Sequence, residues 1–140
     1  MIELLVVLAI MALVVTLLTP MLRIGRSGAD LRSASSEMLA AMRTARSAAI
    51  AQNRTAAVML DPVDGRYGEP RRYHLLPKGM NMSWHSLWPV AGHDELGAIY
   101  FFPDGSASGG EIDLRKGNAV GAVVVDWFSG MASLHDPTAR

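Results

Sequence analysis

The first twenty residues, MIELLVVLAIMALVVTLLTP, are apolar at nearly every position and carry a single charge, Glu3. As an α-helix, the stretch before Pro20 would span roughly 28 Å, close to the thickness of a bilayer's hydrocarbon core. A surface helix of a globular domain would show a polar face, and none is visible here. Such a run belongs in lipid, or in a core as apolar as lipid. A cleavable signal peptide would need a basic start, a shorter apolar run and small residues around the cut. No basic residue precedes Arg23, and Thr19-Pro20-Met21 is a poor cleavage site, so the run is expected to stay on the mature chain.

Glu3 has two readings. A carboxylate at the bilayer centre costs a few kcal/mol at least, but near a helix end it can reach the headgroups and do nothing further. Alternatively, it waits for a positive partner inside the membrane.

The string IELLVVLAIMALV, with its glutamate placed in this way, resembles the N-terminal helix of type IV pilins and of the pseudopilins of type II secretion. Pro20 stands where many of those helices carry a kinking proline. Two further stretches, SEMLAAMRTARSAAIAQNRTAAVMLD and FFPDGSASGGEIDLRKGNAVGAVVVDWFSGMASL, resemble the GspH/FimT family of minor pseudopilins and minor pilins. The second carries an aromatic-PDG turn (Phe102, Pro103, Asp104, Gly105) followed by Gly109 and Gly110. Residues 67–96 match nothing in the pattern. The family's basic leader, ending in glycine, and its first mature residues are not in the sequence, so a start codon set too late or a processed chain is expected.

Outside the apolar run there is room for one small domain. Cysteine is absent, which removes disulfides and thiolate metal sites. Net charge is zero but uneven: residues 23–54 hold six arginines against Asp30 and Glu37, while residues 55–140 hold seven basic and ten acidic side chains. A mildly acidic domain argues against a broad phosphate-binding face. Arg23 and Arg26, flanking the run, would by themselves hold that end in the cytoplasm. The resemblance places the domain outside, with the basic leader countering them.

Gly25, Ser27 and Gly28 weaken a helix, and a loosened or bent stretch is expected over residues 21–30. From Leu31 a helical stripe follows through Ala34, Met38, Ala41, Ala45, Ala48 and Gln52, its alanines allowing close approach to a sheet. Arg32, Arg43, Arg46 and Arg54 fall mostly off it. Strands are expected at residues 55–60, 72–76 (as the hairpin partner of the first), 98–102, 111–114, 120–127 and 131–134, with turns at 61–65 and 116–118. Residues 80–89 read as a loop or irregular strand whose Trp84 and Trp88 either cap the core or meet a partner. The result is an α+β, pilin-like fold: a long N-terminal helix packed on an antiparallel sheet. It divides into a transmembrane half-helix (1–20), an amphipathic half-helix (21–54) and a β-rich domain (55–140).

No catalytic or cofactor constellation emerges. FPDGSASGGEI lacks the following helix and lysine of a phosphate loop. Asp61 and Asp64 lack the spacing of a calcium loop, and His74, His85, His93 and His135 are scattered. Ser83, Ser86 and Ser129 sit in no nucleophile elbow. His93 with Asp94 and Glu95 reads as a solvated loop. Neither metal, cofactor nor enzymatic activity is expected. The resemblance implies a minor pseudopilin anchored once in the inner membrane of a Gram-negative bacterium, with its domain in the periplasm. Its partners would be other pseudopilins, in a filament or its tip, and the inner-membrane assembly platform. Glu3 would pair with a neighbour's N-terminal ammonium. The alternative is a minor type IV pilin acting in pilus assembly or DNA uptake. For that role Arg66, Arg71 and Arg72 form the one basic cluster, and nucleic acid is not expected as a partner.

Overall fold

The structure is a computed structural model that describes residues 2–85 and 97–135, with backbone alone for residues 17–26. Trp88, Ser86, His93, Asp94, Glu95 and Arg140 lie outside the described residues. One helix, α1 (Ile2–Gln52), runs unbroken through Pro20, Gly25 and Gly28. At 51 residues it is about 76 Å long. The side chain of Pro20, where a kink is expected, lies outside the described residues. The helix ends in a Schellman arrangement: Asn53 adopts a left-handed φ of 48°, its N–H donates to the Ile50 carbonyl, and the Arg54 N–H donates to that of Ala49.

Eight strands follow: β1 (Ala56–Asp61), β2 (Arg66–Glu69), β3 (Arg72–Leu75), β4 (Asn81–His85), β5 (Gly97–Phe101), β6 (Gly110–Lys116), β7 (Ala119–Val125) and β8 (Ala132–His135). They form two antiparallel four-stranded sheets, ordered β3-β2-β1-β5 and β4-β6-β7-β8. In the first, Val58 faces Ile99 and Leu60 faces Tyr67. In the second, Leu114 faces Met82 and Gly121. Both sheets lean on the same face of α1, and the core lies between: Met38, Met42, Leu60, Tyr67, Ile99, Phe101, Ile112, Leu114 and Val123 are essentially closed to solvent.

Two expectations are corrected. Residues 72–75 do not pair with β1; the short strand β2 intervenes, and β3 pairs with it. RYGE carries no apolar alternation, so its pattern was silent. The buried stripe of α1 is Leu31, Ala34, Ser35, Met38, Met42, Ala45 and Ala49, not the ladder ending at Ala41, Ala48 and Gln52. That ladder stepped by 3.5 residues per turn, whereas a straight α-helix turns in 3.6, so the sequence stripe drifts off the buried face over five turns. Gln52 is accordingly exposed, and Ala41 and Ala48 are half-buried.

Candidate functional site

The large apolar side chains of residues 2–15 of α1, on every side of the helix, are 48% to 80% exposed. Glu3 sits in the first turn, also exposed. The Thr16 hydroxyl donates to the carbonyls of Ala12 (3.1 Å) and Leu13 (2.7 Å), so this polar group is satisfied within the helix. Among the described residues no helix is long and apolar enough to cross a membrane.

Where the exposed half meets the domain, Lys116 on β6 reaches Asp30 on the helix at 2.5 Å. This contact joins the β6–β7 end of the second sheet to the helix at the level where packing begins.

The aromatic-PDG turn occupies the far end. The Gly105 N–H donates to the Phe102 carbonyl at 2.9 Å, closing the turn over Pro103 and Asp104. The Ser106 hydroxyl and amide both donate to Asp104, which holds that carboxyl below the usual carboxylate range. A second turn, residues 126–130, lies against it. Its Asp126 accepts from the Ser129 amide and hydroxyl, each at 2.7 Å, and its carboxyl is lowered for that reason. Arg46 on α1 ties the two together, its Nε donating to the carbonyls of Gly105 (3.0 Å) and Ser129 (3.1 Å). Gly130, at φ 63°, makes the approach possible: a Cβ there would stand 2.1 Å from the Gly105 carbonyl oxygen. Gly109 abuts Trp127, and Gly110 opens β6.

This junction holds an apolar knob out in solvent. Trp127, Phe128 and Met131 are 59%, 76% and 66% exposed, and the two rings meet edge to face at 5.7 Å. Neither the knob nor Arg46 was singled out from the sequence. Trp127 read as the end of a strand, and Arg46 only as a residue mostly off the buried stripe, because its acceptors are 59 and 83 residues away. An aromatic pair inside an Asp-x-x-Ser-Gly turn was the available signal.

The remaining candidates separate. Trp84 packs its half-buried indole on the core and over Gly97, where a Cβ would come within 2.5 Å of the ring. Arg66 pairs with Asp61 (3.0 Å) and Asp64 (2.9 Å) and lies over the Tyr73 ring. The Asp64 amide, more than Arg66, holds the Asp61 carboxyl low. Arg71 and Arg72 stand at the other end of β2, so the three arginines form no single cluster. Burial pushes the Tyr67 hydroxyl up to about 12, with Glu37 adding to the shift. Among the described residues no group of His, Asp and Glu could hold a metal ion.

Comparison with known proteins gives a consistent set. A family model described as Type II transport protein GspH matches residues 34–130, a span that encloses both turns and Arg46. The type II secretion system protein H of Xanthomonas campestris pv. campestris is 35% identical over 129 residues, covering 91% of this chain and 76% of that protein. Among solved structures, the minor pseudopilin EpsH from the type 2 secretion system of Vibrio cholerae aligns with a TM-score of 0.58 at 10% identity, over 76% of this chain and 96% of that one. The type IV minor pilin FimU of Pseudomonas aeruginosa aligns with a TM-score of 0.57 at 16% identity, over 79% and 90%. At these identities the two structures speak for the pilin-like fold alone.

Proposed function

The chain belongs to the GspH family of type II transport proteins, and from that premise we propose that it is a minor pseudopilin, a structural subunit and not an enzyme. It would be anchored once in the inner membrane by the apolar half of α1, with Pro20 bending the helix at the membrane boundary and the two-sheet domain in the periplasm. There it joins other pseudopilins in a short filament that aids export of folded proteins. The observation that carries this reading is the division of α1. One half is apolar on every side and leaves its described large side chains exposed, while the other half is the spine of the domain core. The bare half needs an apolar environment, and lipid before assembly and a bundle of like helices after it both supply one.

In that bundle Glu3 pairs with the N-terminal ammonium of a neighbouring subunit. An isolated charge in low dielectric is costly and a pair is far less so, which makes the contact a register mark between subunits. The test is Glu3→Ala in the full chain with its native upstream sequence, in a host that secretes by this route. The variant is expected to stay in the membrane fraction at wild-type level while secretion is lost. Wild-type secretion by that strain would sink the assembly role of Glu3.

A second reading, a minor type IV pilin in pilus assembly or DNA uptake, is compatible with the pilin-like fold shared with FimU. Arg66, neutralised by two carboxylates, weakens its DNA-binding form. Micromolar duplex binding that weakens with salt and is lost on Arg71→Ala/Arg72→Ala would favour it.

A further inference from the structure

The end of the domain nearest the bare half of α1 is a surface of its own. Lys116 meets Asp30 there, and a Cβ on Gly117 would lie 3.7 Å from the Ser27 hydroxyl. The β4–β6 register sets Asn81 against Arg115, so the start of β4 lies at the same end. In the first sheet, Ala56 lines the same hollow as Ala48 and Gln52, and Val58 the same hollow as Ala40 and Thr44. β1 therefore runs back towards the anchor, and the turn at residues 61–65 follows it there. The Leu76 N–H donates to the Gly65 carbonyl at 2.8 Å, which ties that turn to the loop entering β4. One rim thus joins the 61–65 turn, residues 75–81, the β6–β7 turn and Arg32 of α1.

This rim has the composition of a bilayer interface. Val63 and Leu75 are each 76% exposed on it. Arg32, Lys78 and Arg115 are exposed and, among the described residues, make no ion pair. Lys116 cancels Asp30, and Arg66 leaves one negative charge over from Asp61 and Asp64. The three free cations outweigh it, although residues 55–140 as a whole are net acidic. In sequence, Arg23 and Arg26 stand between the rim and the apolar run. Apolar side chains interspersed with cations suit the headgroup layer of an anionic membrane.

The spacing along the helix fits as well. The apolar run ends at Leu22, and Asp30 is about 12 Å further along the axis. The polar layer of a bilayer is about 5–8 Å deep on each side, and lysine and arginine stems reach beyond the backbone that carries them. A transmembrane helix tilted by about 20°, the usual value, lowers one side of the rim into that layer.

We propose that this rim docks the domain on the anionic phospholipid headgroups of the membrane that holds the apolar half. The proposal rests on the anchored pseudopilin reading and deepens it. The unassembled subunit leans on the bilayer surface, and entry into a filament requires that contact to be released. Because the anchor already holds the rim beside the bilayer, docking is intramolecular in effect and occurs at high effective concentration. Each cation near an anionic surface favours the docked form about fivefold, and three together about a hundredfold.

The chain has no cysteine, so one engineered thiol can carry a fluorophore. Full-length Val63→Cys is labelled and reconstituted, at one or several copies per disc, into nanodiscs of phosphatidylglycerol or of phosphatidylcholine. Each disc carries a trace of lipid with a nitroxide quencher on its headgroup. Quenching is expected to be at least about threefold stronger in phosphatidylglycerol and to fall at high salt. The exposed triple variant Arg32→Gln/Lys78→Gln/Arg115→Gln should lose that excess while its melting temperature is unchanged. A label at Phe128→Cys, on the far end of the domain, should stay bright in both lipids. Equal quenching in the two lipids, or quenching indifferent to the triple variant, would overturn the proposal. A signal that follows the number of copies per disc and not the lipid would give the rim to a second subunit and overturn it too. If the chain enters the discs while the Val63→Cys label stays bright, docking fails and the anchored reading stands. If the chain enters neither disc, the anchored reading fails and docking fails with it.

Discussion

Among the described glycines, Gly130 carries the tightest constraint. It needs a left-handed backbone, and it also has the Gly105 carbonyl where a side chain would begin. Gly130→Ala is expected to cost at least about 2 kcal/mol, by strain and by driving the two turns apart. Gly65 has a similar φ of 61° with open space around it, so Gly65→Ala should cost only about 1 kcal/mol, the backbone part alone. Thermal unfolding of the full chain in detergent measures both, and equal losses would refute the steric account. Asp126, in the same junction, predicts an acid response. Ser129 lowers its folded-state pKa below the unfolded value of about 3.9. Its contribution is therefore complete above that value and is lost as pH falls through the folded-state pKa. Asp126→Asn should lower the melting temperature at pH 7 and flatten its decline below about pH 4. An unchanged acid slope would mean that the carboxylate contributes nothing.

At the level of elements, the helix was legible because its buried face repeats over many turns, and even there the phase was misjudged. Ala49 is fully buried where the shorter period pointed to Ala48. Ala49→Leu should thus cost about 1–3 kcal/mol by overpacking, and Ala48→Leu less than about 1 kcal/mol. The reverse order in unfolding midpoints would restore the 3.5-residue stripe. The strands with β-branched or aromatic runs, β1, β5 and β7, were legible within a residue or two. β2 was not, because its pairing depends on where Asp61 turns the chain and not on any alternation of its own. The PDG turn could be read as a turn, since proline, aspartate and glycine each favour that geometry locally. Its neighbour could not: the contact between the two turns runs through Arg46, whose acceptors lie a domain's length away in sequence. Local chemistry is written locally; a junction of three distant elements is not.

Across the whole molecule, the same helix serves as the bare half and as the spine of the core, with no interruption of its backbone between them. Asp30 and Lys116 clasp the domain to it near the point where packing starts. The domain therefore has no swivel, and its compass bearing about the helix axis is set by residue count. Each residue added after Gly25 would turn the domain by about 100° and raise it by about 1.5 Å. Two or five added alanines leave it facing the wrong way, whereas seven bring it back to within about 20°. Secretion should accordingly fail with the two- and five-residue insertions and recover in part with seven. A steady decline with length would reveal a hinge instead. The spacer between anchor and domain then behaves less like a tether than like a screw thread, in which distance cannot be changed without changing direction.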